Sequence, residues 1–173
     1  QLPTKESHSM GTPAIYPLIF TFREPIAGEG FVAGIDVRGK VVACLEEDGE
    51  WWFYGVLPGA MAEGGVSAQE AFARFTLAFR TVLADAAMSS PTFEDFTRSA
   101  ERFVLQEDAV ESERWRSALE AVRTGRTIQD APFDDLPRLS GTDTAFGVDV
   151  VRLGSATAPT SSSWFGTVRL ARA

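Results

Sequence analysis

The chain has 173 residues, 45% apolar and 23% charged, which are ordinary values for a folded protein and exclude global disorder. Its formal net charge is −8, and an acidic surface repels the phosphates of nucleic acids. A single cysteine and a single histidine exclude an internal disulfide, and they argue against a zinc site or a histidine-based triad within one chain.

The residue pattern of the first half of the chain predicts a β-sheet. Residues 1–13 are polar and are predicted to be a disordered arm or a leftover of cloning, with Met10 a candidate natural start. Three stretches, 14–22, 31–38 and 41–47, are then predicted to be strands, and along 31–38 an apolar face alternates with a more polar one. Between the second and third stretches, the Arg38-Gly39-Lys40 run predicts a tight turn.

A hairpin and a helix follow. Asp48-Gly49 is a strong hairpin signal, and it leads to an aromatic strand and a short strand at residues 60–63. Ser67 and Glu70 then form a capping box, which marks the start of a helix. Six apolar residues fall on one stripe of that helix and are expected to pack on the sheet: Phe72, Phe75, Phe79, Val82, Leu83 and Ala86.

The second half is predicted to be an extension, at residues 91–173. Helical spacing runs through residues 93–124, as one helix or as two with a restart near Glu107 and Asp108. The stretches AFGVDVVRL and WFGTVRLARA are predicted to be short strands between irregular segments. The fold class is therefore α+β, with an antiparallel sheet from residues 14–63, one packed amphipathic helix and a helical and irregular extension.

Several residue clusters have two interpretations. The carboxylates of Glu46, Glu47, Asp48 and Glu50 form either a divalent-cation site or a solvated turn. Asp134 and Asp135 are either paired catalytic carboxylates or a solvated loop. Cys44 is a small core residue or a reactive thiol, and Ser162 and Ser163 lack a nucleophile motif. Arginines 114, 116, 123 and 126 form either a salt-bridged face or a phosphate-binding one. We expect no catalytic residue, metal or cofactor.

Four consecutive aromatic residues, Trp51, Trp52, Phe53 and Tyr54, are harder to explain as core alone. Neighbouring strand residues face opposite sides, so one helix covers only one pair of them. The second pair needs the 91–173 extension, a second copy of the chain or another protein as its cover. These four residues are the predicted protein interface.

Residues 41–87 resemble the HicB family of antitoxins. The match rests on Leu57-Pro58-Gly59, on the Gly64-Gly65 corner and on the SAQEA run at 67–71. The resemblance implies a pared-down RNase H-like unit of sheet and helix at residues 14–90, which binds and occludes a small basic toxin that cleaves mRNA. The acidic second half has no helix-turn-helix or ribbon-helix-helix pattern, which argues against DNA binding.

The sequence thus predicts a non-catalytic, HicB-like protein-binding module. An antitoxin is one form of this function. The alternatives are a structural or oligomerisation domain and, less favoured, an enzyme that uses acidic residues. We expect a cytoplasmic protein, because no stretch has the apolar length of a transmembrane helix or the pattern of a signal peptide, and because a single cysteine fits a reducing compartment. A homo-oligomer is expected because a second copy is one possible cover for the second aromatic pair.

Overall fold

The computed structural model describes residues 14–127, 132–139, 145–155 and 167–173. Within these ranges the predicted α+β class is confirmed, with one antiparallel sheet of six strands and three helices. The strands are β1 (Ile15–Ala27), β2 (Val32–Leu45), β3 (Trp51–Leu57), β4 (Ala62–Gly65), β5 (Gly147–Gly154) and β6 (Thr167–Arg172). The helices are α1 (Ala68–Ser89), α2 (Phe93–Val104) and α3 (Ala109–Arg123). The predicted arm at 1–13 and the Ser162–Ser163 pair lie outside the described residues.

The two long strands β1 and β2 form the centre of the sheet. The strand order is β4-β3-β2-β1-β6, and β5 pairs with β2 beside this path. Because β1 pairs with β2 along almost its whole length, β3 and β5 share the other side of β2. Strand β3 takes the second half of β2 and β5 takes the first half. No helix among the described residues combines the length and the apolar composition that crossing a membrane requires.

The tight turn predicted at Arg38–Lys40 is wrong, because β2 continues through it. Gly39 lies inside the strand and pairs with Phe20 of β1. A Cβ atom at this position would lie 2.0 Å from the carbonyl oxygen of Leu57, at the end of β3. The glycine therefore permits a close approach of two backbones, which is the other common reason for a glycine within a strand.

The sheet also extends beyond the predicted residues 14–63. Strand β3 pairs only with the last residues of β2, which leaves the backbone of residues 32–38 without a partner on that side. Strand β5 supplies this partner, and β6 pairs with β1 from Leu18 to Arg23. Backbone groups in a folded interior need such partners. The regions 14–90 and 91–173 therefore share one sheet.

The helix α1 forms as the capping box predicts. The backbone N–H of Glu70 donates to the Ser67 hydroxyl over 3.1 Å, while the Glu70 carboxylate accepts from the N–H of Val66 over 3.0 Å. Phe75 and Phe79 are fully buried, and their ring centroids lie 5.4 and 5.1 Å from that of Phe20 in β1. Seven side chains of α1 are buried: Ala68, Ala71, Phe75, Thr76, Phe79, Leu83 and Ala87.

The helical spacing of residues 93–124 belongs to two helices. The Asp108 carboxylate caps the second helix, where it accepts from the N–H of Glu111 over 2.9 Å. The linker between the helices is tied to the end of β3, because the N–H of Asp108 donates to the Val56 carbonyl over 3.0 Å and that of Gly59 to the Gln106 carbonyl over 2.7 Å. Helix α3 lies on the face of the sheet opposite α1, because Phe53 of β3 contacts α1 whereas the neighbouring Tyr54 contacts α3.

Candidate functional site

The predicted interface residues lie in β3 and alternate between the two faces of the sheet, as expected. Trp51 and Phe53 point to the face that α1 covers, whereas Trp52 and Tyr54 point to the face that α3 covers. Phe53 is fully buried, and the other three side chains are only half-buried. Aromatic surface of β3 is therefore accessible at one end of the sheet.

On the α1 face, the extension covers the aromatic pair in part. The ring of Phe53 packs 5.6 Å from Phe72 of α1. The ring of Trp51 lies 5.8 Å from Tyr16 and 5.6 Å from Phe133, measured between centroids. Phe133 is buried, and it belongs to the described segment 132–139. The extension thus supplies one of the partners of this pair, beside Phe72 of α1 and Tyr16 of β1.

On the α3 face, Trp52 and Tyr54 are stacked on each other. Their centroids lie 5.9 Å apart with an interplanar angle of 17°. The Trp52 ring lies against Gly64 of β4, since a Cβ atom at this position would come within 2.7 Å of it. The guanidinium carbon of Arg114, on α3, lies 5.3 Å from the centroid of the Tyr54 ring. We call the half-exposed group of Trp52, Tyr54 and Arg114 the aromatic patch.

One carboxylate orients the polar atoms beneath the aromatic patch. The Oε1 atom of Glu46 accepts hydrogen bonds from the Tyr54 hydroxyl over 3.0 Å and from the Cys44 thiol over 3.2 Å. Burial, with the Glu46 carboxylate adding to it, raises the pKa of Tyr54 to about 12 and that of Cys44 to about 12. Both groups therefore keep their protons near neutral pH, and Tyr54 stays fixed as a hydrogen-bond donor to Glu46.

Arg114 of the aromatic patch is held in position by a residue of its own helix. Its guanidinium donates to the two carboxylate oxygens of Glu111 over 3.0 and 2.9 Å, one turn earlier on α3. It also lies 3.9 Å from the Cys44 sulfur. The neighbouring Arg116 pairs with Glu113 over 2.6 Å. The salt-bridged interpretation of this arginine cluster therefore holds for Arg114 and Arg116.

The carboxylates of the β2–β3 hairpin turn form an exposed acidic rim next to the aromatic patch. Glu47, Asp48 and Glu50 are exposed, and the Asp48 carboxylate accepts from the N–H of Glu50 over 2.9 Å. Asp134 and Asp135 are exposed as well. In the part of the chain that the structure describes, no three His, Cys, Asp or Glu residues are grouped so as to hold a metal ion.

Three residues near β3 were not predicted to act there. Glu46 follows Cys44 by two positions, so strand alternation alone indicates that both lie on one face. No local pattern brings Phe133 to Trp51, or Arg114 to Tyr54, because these pairs are far apart along the chain. Comparison of the whole chain with protein-family models, curated proteins and solved structures finds no match. The function is therefore inferred from the aromatic patch and from the sequence.

Proposed function

We propose that this protein is a non-catalytic protein-binding module whose contact surface is centred on the aromatic patch. Tryptophan, tyrosine and arginine dominate the binding energy of protein interfaces, and they act most strongly where neighbouring residues fix their orientation. Trp52 is stacked on Tyr54, Tyr54 is bonded to Glu46, and Arg114 is bonded to Glu111. This pre-ordered and half-exposed group is the observation that carries the proposal.

The surroundings of the patch favour a basic partner. Glu47, Asp48 and Glu50 are exposed on the adjoining hairpin turn, and the whole chain carries a charge of −8. Opposite charges at the rim of an interface accelerate association and make it sensitive to salt. A partner with a positive surface would meet this rim and the aromatic patch together.

The HicB-like assignment is part of the same proposal. Residues 41–87 contain the second half of β2, then β3, β4 and α1, in the order strand, strand, short strand and helix. This order is compatible with the unit that the resemblance implies and supports it. The protein then acts in the cytoplasm as an antitoxin, which blocks a small basic RNA-cleaving protein by occluding its surface. The raised pKa values of Cys44 and Tyr54 argue against these two groups as nucleophiles.

A titration of the neighbouring gene product tests this function. The probe is the product of the gene next to that of this chain, which the proposal expects to be a small basic protein, and its affinity is measured by calorimetry for the wild type and for single variants. Trp52→Ala is expected to weaken binding at least about tenfold, as is usual when a central aromatic residue is lost. Raising the ionic strength is expected to slow association, because the acidic rim is screened.

Two controls make the test specific. Leu105→Ala removes an apolar side chain that is 53% exposed at the end of α2, and it should leave the affinity unchanged. Trp51→Ala should lower the free energy of unfolding more than it lowers the free energy of binding to the basic partner, because the Trp51 ring packs on Phe133 of the same chain. Failure of the wild type to bind its basic neighbour, or equal affinities of Trp52→Ala and Leu105→Ala, contradicts the proposal.

A further inference from the structure

The helix α1 carries a second apolar surface, on the side turned away from the sheet. Leu77 is 59% exposed and Met88 is 62% exposed. Ala73 is exposed and Ala84 half-buried. At about 100° per residue, these four side chains fall within a stripe about 60° wide. Thr81 lies beside them, and its hydroxyl donates to the Leu77 carbonyl over 2.9 Å, so it needs no outside partner. We call these five residues the outer stripe.

Large and small side chains are placed symmetrically along the outer stripe. Leu77 and Ala84 are equally far along the helix from the point between Arg80 and Thr81, and so are Ala73 and Met88. A second copy of α1, antiparallel and related by a twofold axis at this point, therefore brings each large side chain opposite a small one. Leu77 faces Ala84 of the second copy, and Met88 faces its Ala73. Such alternation fills an interface without overlaps or voids.

The charges beside the stripe follow the same axis approximately. Arg74 and Asp85 lie on one flank of it, on opposite sides of the same point and about 10 and 7 Å from it along the helix. In the antiparallel pair, Arg74 of each copy lies within about 3 Å, along the helix axis, of Asp85 of the other, so opposite charges face each other. Arg74 is 56% exposed, and the Glu70 carboxylate and the Gly64 carbonyl use only part of its five donors.

On the other flank of the outer stripe, the positive charge is neutralised by a carboxylate of the same chain. Arg80 lies there, and in the antiparallel pair it approaches Arg80 of the second copy. Its guanidinium, however, binds the Glu24 carboxylate of β1 through two bonds of 2.6 Å. The Glu24 side chain is only 13% exposed. This ion pair removes most of the repulsion that two facing arginines would otherwise produce.

From the symmetry of size and charge, we propose that the outer stripe is a homodimer interface, formed by two antiparallel copies of α1. The stripe spans roughly 22 Å, so it buries less than the roughly 800 Å² per partner of a standard interface. A weak dimer is expected, with a dissociation constant in the micromolar range or above. Because α1 and α3 cover opposite faces of the sheet, this surface is separate from the aromatic patch and does not depend on the proposed function.

Sedimentation equilibrium up to about 0.5 mM protein tests the dimer, since an interface of this size associates at such concentrations. Leu77→Glu is expected to weaken dimerisation at least about tenfold, because two carboxylates would enter the apolar stripe. Leu105→Glu is the matched control, since Leu105 is similarly exposed but lies outside α1. A monomer at every concentration, or equal effects of the two variants, overturns the proposal.

Cross-linking tests the antiparallel geometry, and it does not require a tight dimer. Thr81 lies next to the twofold axis, so Thr81→Cys is expected to form a disulfide between copies under mild oxidation. Met88→Cys is the control, because its two copies would be roughly 22 Å apart, far beyond the roughly 7 Å that a disulfide spans. The native Cys44 is buried and does not compete. Equal cross-linking of the two variants, or none of Thr81→Cys, contradicts this arrangement.

A charge exchange tests the register. Arg74→Glu and Asp85→Arg each place like charges opposite one another and are expected to weaken the dimer severalfold. The double variant restores opposite charges across the axis and is expected to recover most of the affinity. Because Arg74 also contacts Glu70 and Gly64 within its own chain, recovery distinguishes an interface role from a structural one. No recovery in a folded double variant would falsify the register.

Discussion

The face of the sheet under α1 is packed with aromatic rings, whereas on the opposite face α3 buries few of its own side chains and adds polar and charged contacts. Helix α1 buries seven side chains, against only Ser112 and Leu119 in α3. Trp115 of α3 donates its indole N–H to the Leu18 carbonyl over 3.0 Å. The Lys40 ammonium lies 5.2 Å from the Trp115 ring centroid and 5.2 Å from that of Phe146.

This difference assigns different roles to the two faces. Apolar burial contributes most of the free energy of folding, so the α1 face is expected to determine global stability. A cavity of about 870 Å³ borders α3, and its described lining includes Ile15, Val110 and Ala118. Elements with few buried contacts open locally at a lower free energy than the core does. Helix α3, which holds Arg114 of the aromatic patch, is therefore expected to open before α1.

The largest effect is expected from Phe75→Ala on the α1 face. Phe75 is fully buried and contacts Phe20 and Phe53, so its loss should lower the free energy of unfolding by about 3–5 kcal/mol. Urea denaturation measures this loss. Phe72→Ala is the comparison, because Phe72 is only half-buried and should cost less. A loss below about 1 kcal/mol at Phe75 would show that this face does not control stability.

An intermediate effect is expected from Trp115→Phe on the α3 face. This change keeps an aromatic ring but removes the donor to the Leu18 carbonyl, which should cost about 1 kcal/mol. Chemical labelling of the Cys44 thiol at native conditions should become faster, because Cys44 lies under Arg114 of the same helix. Ser117→Ala is the control, since that hydroxyl bonds only weakly to Glu113 on α3, over 3.4 Å. Unchanged labelling would count against local opening of α3.

The smallest effect is expected from pH. The Ser112 hydroxyl, donating over 2.5 Å, and then the Lys40 ammonium at 3.6 Å hold the pKa of Glu107 below its ordinary value. A carboxyl with a lowered folded pKa contributes stability above its unfolded pKa, and this is lost as the pH falls through the folded value. The contribution is well under 1 kcal/mol, because the Glu107 side chain is half exposed.

Hydrogen exchange measures this pH effect. Amides of α3 should lose more protection than those of α1 between about pH 5 and pH 3. Glu107→Gln should remove most of this difference, because the amide has no proton to gain in that range. Equal losses of protection in the two helices would contradict the assignment to Glu107.

A local pattern was sufficient to predict the start of α1, and it gave a helix start near Asp108 as one of two alternatives. Ser67, Thr92 and Asp108 each accept a bond from the N–H three residues later, and such a pattern is contained in a few neighbouring residues. The turn at Gly39 was predicted wrongly, because the reason for a glycine at this position is the nearby Leu57 carbonyl of another strand. The same limit applies to the site. The alternation of Trp51 to Tyr54 follows from strand geometry, but the position of Arg114 over Tyr54 depends on how α3 lies across the sheet.

The pairing of β1 with β6 has a consequence for how the chain is made. Thr21 of β1 contacts Arg169 of β6, which follows it by 148 positions. At about 5–20 residues per second, a ribosome needs roughly 7–30 s to synthesise the intervening chain. During this time, one edge of a long and largely apolar strand lacks its partner from the same chain, and open strand edges attract other strands. Nascent β1 is therefore where chaperones are expected to bind this protein during translation.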